Sequence, residues 1–481
     1  MATDRPIVYR IGHWIVRAGL GVYFSRIERF HPERVPAAGP VLFTSNHPNS
    51  LTDAFVIGTS VPRKVNFVAT VQLFRWRPLA WLLSQCGVIP INRVKDDRRA
   101  MRSVMQTFEA CFKVLERGEA IGIFPEGITH DDPQLKAVKT GAARMALELE
   151  QRHTGALGLH IVPVGLTFSA KDIYRSRVLV NFGEAIRVSD FLPGYAQERH
   201  RGIEVLNTEI ESRIQGLIFH LPHLGRARIV EAVKRLYLDK LWVGNSVIHE
   251  PVTPEAGELV LTQTIAEAVE LTFIENPERA SEFVRKLDRY ENTLKRLRFS
   301  DEVLKHFPTT MRLLRHSLLW LLVAIIGAPV ALYGWLHRLI PYAILQWIVK
   351  KTAKEPVDRT HVSTATILGG FVVFTAFYGV CAFVFHRFFS LRATIWYAAS
   401  LPAAGLIAHY YVRELRRFGA SLRAAAVLLQ APGATRRLQA WRAELIGMIE
   451  TQRRDYLAAK GQGGERQERT ESQRCGAATE E

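Results

Sequence analysis

Ala120-Ile121-Gly122-Ile123-Phe124-Pro125-Glu126-Gly127 is an apolar run of strand length that closes on an acidic turn. A buried strand ending there leaves Glu126 at a sheet exit, where it can accept hydrogen bonds from a bound hydroxyl or hold a basic residue. Gly127 permits close backbone approach. Outward from this stretch the rhythm repeats. Pro40–Thr44, Val65–Ala69, Val88–Asn92, His160–Thr167 and Val178–Phe182 are further short apolar runs, and Phe74–Gln85, Asp97–Arg117 and Thr140–His153 between them carry helical spacing. Strand–helix alternation of this kind predicts an α/β domain with a central sheet flanked by helices.

Three more islands share that region: Asn46-His47-Pro48-Asn49-Ser50-Leu51-Thr52-Asp53, Gly87-Val88-Ile89-Pro90-Ile91-Asn92-Arg93 and Ile161-Val162-Pro163-Val164-Gly165. The chain lacks a GxSxG elbow, a P-loop and a Cys–His pairing, so covalent serine catalysis and nucleotide hydrolysis lose their usual signatures. What remains is direct attack by a hydroxyl on an activated acyl group. The attacking hydroxyl must lose its proton, and imidazole suits that task near neutrality. His47 is the candidate base and Asp53 the carboxylate that would fix its tautomer. On a regular helix the two would lie about 120° apart, so a tight turn through Pro48-Asn49-Ser50 must bring them together. Amides of that turn, at Asn49 and Ser50, are the expected oxyanion donors. Arg93, at a strand end, can grip a phosphate bidentately, and Lys139 is a second candidate phosphate cation.

In this order and spacing, the four islands resemble the glycerolipid acyltransferase superfamily. The resemblance covers about residues 30–220. It implies His47 as general base, Asp53 as its partner, and Arg93 with the Glu126–Gly127 turn and Thr129 at the acceptor phosphate site. It also implies acyl-CoA or acyl-carrier protein as co-substrate, no other cofactor and no metal. Two departures, five residues between His47 and Asp53 and the sequence Ile128-Thr129-His130-Asp131 after the turn, are similar to the fungal-type glycerol-3-phosphate/dihydroxyacetone-phosphate acyltransferase branch. Pro90 is a further departure, within the second island. The acceptor stays open between glycerol 3-phosphate, its keto analogue and a lysophospholipid such as 1-acylglycerol 3-phosphate. A catalytically inactive basic membrane adaptor is the alternative reading.

The 481 residues have room for several domains. The expected order is an amphipathic N-terminal helix (1–30), the acyltransferase domain (31–225), a helical linker region (226–312), a transmembrane or re-entrant region (313–412), C-terminal helices (413–459) and a disordered tail (460–481). The N-terminal helix would lie in a membrane interface or pack on the domain. Ser317–Leu336 runs without a charge, enough to cross ~30 Å of hydrocarbon, and Thr364–Phe385 and Thr394–Tyr411 are further apolar runs. Flanking Arg and Lys residues favour a multi-pass protein with its catalytic domain on the cytoplasmic face. Arg10, Arg17, Arg26 and Arg29 interrupt the early apolar runs, so no secretory signal is expected. The net charge of +17 suits membrane lipids and phosphorylated substrates. Without a base-reading motif, nucleic acid is not an expected partner. The 4 cysteines include no CxxC pair, which points to a reducing compartment. Oligomeric state is not legible.

Overall fold

The computed structural model describes residues 7–75, 77–91, 100–130, 132, 134–218, 224–243, 254–297, 301, 304, 310–352, 362–430 and 432–477. Two compact units divide the chain: Met1–Pro222 with Ile340–Val384, and His223–Leu339 with Phe385–Glu481.

The first unit begins with α1 (Ile7–Tyr23), β1 (Arg26–Phe30), β2 (Val41–Ser45), α2 (Leu51–Ser60), β3 (Val65–Thr70), α3 (Arg77–Gln85) and β4 (Ile89–Ile91). It continues through α4 (Ala100–Glu116), β5 (Ala120–Ile123), α5 (Gly141–Arg152), β6 (His160–Phe168), β7 (Arg177–Phe182), β8 (Ile186–Arg187), α6 (Leu192–Gln197) and α7 (Arg199–Leu217). The strands form one sheet in the order β1-β7-β6-β2-β5-β3-β4, with β8 also on β6. The middle of the sheet, β6-β2-β5-β3-β4, is parallel, while β7 and β8 run antiparallel to β6. Central parallel strands are covered on both faces, so they read as continuous apolar runs rather than alternations. β2 is accordingly buried along its whole length. Successive side chains still point to opposite faces: Leu42 and Ile161 pack with α4, α5 and α7, whereas Phe43 and Val162 pack with Leu20 of α1 and Val56 and Ile57 of α2.

The Val162-Pro163 island has a topological reason. On one edge β6 pairs β8 through His160 and Ile161, then β7 from Val164 onward. Pro163 sits in the gap between the two partners, where its missing N–H is tolerated, and its carbonyl accepts from Gly183 N at 2.8 Å. At Gly165 a Cβ would lie 2.4 Å from the Leu217 carbonyl oxygen, so only glycine lets the end of α7 close onto β6.

The N-terminal segment departs from expectation. Its helix stops at Tyr23, and Arg26–Phe30 enters the sheet as β1, pairing β7 in parallel. An edge strand tolerates charges that would break a central one: Arg26 and Arg29 are exposed, and the buried Glu28 pairs with Arg26 at 2.5 Å.

The second unit is helical: α8 (Ala227–Val243), α9 (Pro254–Glu275), α10 (Pro277–Leu297), parts of α11 (Thr310–Thr352) and α12 (Val362–His386), and all of α13 (Leu391–Gln430) and α14 (Pro432–Ala477). Leu236, Leu287, Tyr290, Leu438 and Leu445 form its core. Arg442 reaches Asp301 at 3.1 Å beneath Tyr290, whose hydroxyl bonds the same carboxylate.

One correction concerns this half. Residues 460–477, expected to be disordered, continue α14; Glu, Gln and Arg favour helix at most of these positions, against Gly461, Gly463 and Gly464. α11 runs through Pro329 and Pro341 without interruption. Among the described residues one helix, Val362–His386, is long and apolar enough to cross a membrane. Thr394–Tyr411 lies inside α13, where its polar groups are engaged: Ser400 Oγ meets Tyr333 Oη at 2.9 Å, Tyr397 Oη meets His337 at 3.0 Å, and Tyr411 Oη donates to the Ala324 carbonyl at 2.7 Å. Ser317–Leu336 lies within α11, with its first residues outside those whose side chains are described.

Candidate active site

His47 follows the C-terminal end of β2, and Asp53 lies in the first turn of α2. The intervening turn is sharp. Ser50 adopts φ 52° and ψ −136°, a region costly for a residue with a Cβ. That turn folds Asp53 back, so its Oδ2 accepts from the Asn49 amide at 2.7 Å and meets His47 Nδ1 at 2.9 Å. The six-residue separation is therefore the length of a strand exit, a strained corner and one helical turn, not a helical periodicity.

The pair is held from several sides. Asn46, just before His47, donates to the Leu166 carbonyl at 3.0 Å and accepts from the Leu166 amide at 2.8 Å, which clasps β2 to β6. The His47 ring stacks on Phe124 at 4.1 Å and 12°, and Phe124 stacks in turn on Phe67 at 6.2 Å. Asp53 is fully buried, while the His47 side chain keeps 18% of its surface exposed. A buried carboxylate with a partly open imidazole is the polarity a base needs: one end anchored, the other accessible. Burial pushes the Asp53 carboxyl above its ordinary range; the bonds from His47 and the Asn49 amide, with the field of Lys171, act against that rise.

Glu126 takes the second of the two roles open to it. Its side chain is buried, Oε1 accepts from the His47 amide at 2.7 Å, and Oε2 accepts from the Lys136 amide at 2.8 Å and pairs with His130 Nε2. The carboxylate thus holds a basic residue and ties the His47 backbone to the end of β5. Gly127, at φ 66°, turns the chain beside Lys139, whose Nζ would lie 2.4 Å from an added Cβ. Lys139 is exposed and Thr129 half-buried next to this turn. Arg93 lies outside the described residues.

Of the expected oxyanion donors, the Asn49 amide is already engaged by Asp53. Pro48 has no N–H, which leaves the amides of Ser50 and Leu51 at the N-terminus of α2, where helical amides lack intrahelical partners.

Several residues were not singled out from sequence. His130 faces Glu126, and Phe124 supplies the stacking surface. Lys171 Nζ donates to the His130 carbonyl at 3.4 Å. Ser363 and Thr364, in the first turn of α12, contact the His47–Asp53 turn: Ser363 Oγ donates to Asn49 Oδ1 at 2.7 Å, and Thr52 Oγ1 lies 2.9 Å from both hydroxyls. The sequence carried a signal for His130, which falls in the branch-like run after the turn, and none for a contact more than 300 positions away.

The family model described as acyltransferase matches residues 26–167, which span β1 to β6 and all four islands. The chain carries an acyltransferase domain. Its relatives include an uncharacterized acyltransferase of Schizosaccharomyces pombe, 30% identical over 26% of this chain and 18% of its own length. Glycerol-3-phosphate O-acyltransferase 1 of Saccharomyces cerevisiae is 25% identical over 49% of this chain and 43% of its own. A chloroplastic 1-acyl-sn-glycerol-3-phosphate acyltransferase of Arabidopsis thaliana is 26% identical over 34% and 44%. The chain thus spans less than half the length of each of these three relatives. Within the acyltransferase domain, the His47–Asp53 pair and the Glu126 tie form one connected constellation.

Proposed function

We propose that the chain is a membrane-bound O-acyltransferase. It moves a fatty acyl group from acyl-CoA or acyl-carrier protein onto a phosphorylated glycerol acceptor, glycerol 3-phosphate or 1-acylglycerol 3-phosphate. The observation that carries this is the 2.9 Å contact between His47 Nδ1 and the buried Asp53 carboxylate, inside a domain of the acyltransferase family. With Nδ1–H donated to Asp53, the lone pair is on Nε2. That atom takes the acceptor hydroxyl's proton as the oxygen attacks the thioester carbonyl. A C–O bond forms, the oxyanion draws on the Ser50 and Leu51 amides, and the C–S bond then breaks. The proton on Nε2 passes to the departing thiolate.

Holding two substrates in line supplies much of the rate, and general-base help adds ~10²–10⁴-fold. Lys139 beside the Gly127 turn, and Arg93, receive the acceptor phosphate. Between acceptors, glycerol 3-phosphate is favoured, because the similarity to a yeast glycerol-3-phosphate O-acyltransferase extends over 49% of the chain. Membrane attachment is supported by α12 and by α1, whose Ile7, Ile11, Trp14 and Val22 form an exposed apolar stripe. Arg and Lys residues flanking the apolar helices favour a catalytic domain on the cytoplasmic side.

An acceptor panel tests the reading. The purified full chain, with radiolabelled acyl-CoA or acyl-carrier protein, is offered glycerol 3-phosphate, dihydroxyacetone phosphate and several lysophospholipids. Transfer to glycerol 3-phosphate with no need of a preformed acyl chain is expected. Transfer to no acceptor would favour the inactive adaptor.

A further inference from the structure

We propose that Ser363, in the first turn of α12, is a positioning residue for the His47–Asp53 pair and acts through Asn49. The proposal rests on the reading of that pair as the catalytic base. The contact lies wholly within the first unit, to which Ile340–Val384 returns after the chain has passed through the helical half.

The direction of each bond follows from what each atom can do. Asn49 Oδ1 has no proton, so Ser363 Oγ–H donates to it, at 2.7 Å. Having spent its proton, Ser363 Oγ accepts from Thr52 Oγ1–H at 2.9 Å, and Thr52 Oγ1 accepts in turn from Thr364 Oγ1–H at 2.9 Å. The chain of donations thus runs from α12 into the catalytic turn and stops on Asn49. From Asn49 the backbone carries it on: the Asn49 amide donates to Asp53 Oδ2, the same oxygen that meets His47 Nδ1. Asn49, Thr52, Asp53 and Ser363 are fully buried, so water cannot substitute for a lost partner. Among the described residues Asn49 Nδ2 is buried with no partner, and Ser363 supplies the hydrogen bond that orients this side chain. Ile367, one turn further along α12, packs into the core with Leu20 and Val56. The start of α12 is therefore fixed against the domain, and its hydroxyl is presented at a defined height.

A buried polar chain of this kind supports a neighbouring site only when complete. Removing the Ser363 hydroxyl frees the Asn49 side chain, and with it the turn whose amide sets the position of Asp53 Oδ2. Because small misplacements of reacting groups cost rate rather than binding, the loss should fall on kcat.

The test uses the full-length protein in detergent with acyl-CoA and glycerol 3-phosphate as probes. Ser363→Ala should lower kcat about tenfold with both KM values within about twofold, and Ser363→Thr, which keeps the hydroxyl, should recover most of the loss. In an Asn49→Ala background, where the backbone amide remains but the acceptor is gone, Ser363→Ala should cost little more, since residues on one pathway are not additive. A kcat unchanged in Ser363→Ala would overturn the inference, and so would a full additional loss in the Asn49→Ala background. A raised KM with intact kcat would overturn it as well. A parental protein with no transferase activity would instead defeat the catalytic reading itself, and this inference with it.

Discussion

Replacing Glu126 by glutamine separates a carboxylate that holds the base from one that binds the acceptor. In the structure Oε1 accepts from the His47 amide and Oε2 from the Lys136 amide, at 2.7 and 2.8 Å, with His130 on the second oxygen. Glutamine keeps one acceptor and replaces the other with an NH₂. If its oxygen stays on His47, the Lys136 amide meets a donor; if the side chain turns over, the His47 amide does. Either way one buried amide is orphaned, at about 1–3 kcal/mol. His130 can change tautomer to accept from the new NH₂, so that contact adds little. The expected result is a thermal midpoint lowered by roughly 2–4 °C per kcal/mol and a kcat reduced about tenfold by loosening of the His47 backbone. The KM for glycerol 3-phosphate should stay within about twofold. Thermal unfolding and steady-state kinetics in detergent provide the readouts. An unchanged midpoint and kcat with a much raised acceptor KM would refute the reasoning and place the carboxylate on the acceptor.

Two other outcomes follow from neighbouring parts of the domain. Gly127→Ala forces a Cβ into φ 66° beside the Lys139 ammonium, at a conformational cost of ~1–2 kcal/mol; the acceptor KM should rise several-fold with little change in kcat, and an unaltered KM would remove Lys139 from the acceptor site. Burial pushes the Cys111 thiol up to about 12, so below that pH it stays protonated and a poor nucleophile. Iodoacetamide at pH 7–9 should leave Cys111 unlabelled in the folded protein and label it in denaturant, by mass spectrometry; labelling of the folded protein that climbs across this pH range would contradict the burial.

Much of the sheet was legible because its strands are covered on both faces. β2, β3, β5, β6 and β7 fall within a residue or two of the apolar runs that predicted them. β1 was not, because an edge strand carrying Arg26, Glu28 and Arg29 has no apolar run to set it apart from the helix before it. α2 was hidden for a different reason: Leu51–Ser60 packs on two sides, so no polar face marks it. At the site, the residue types and their order pointed to His47 and Asp53, yet the six-residue offset made geometric sense only with Ser50 at a positive φ. Glu126 illustrates the limit of local reading. Its position at a strand exit was evident, but which of two roles it plays depends on Lys136 and His130, which the loop brings back. Ser363 is the extreme case, since no periodicity or motif connects α12 to a turn that precedes it by more than 300 residues.

The most direct measurement is the turnover of His47→Ala in the purified full chain, at saturating acyl-CoA and glycerol 3-phosphate. Removing a general base should cost ~10²–10⁴-fold in kcat, while thermal unfolding and detergent-extraction behaviour remain those of the parent. Acyl transfer at close to the parental rate by a folded His47→Ala protein would contradict the account.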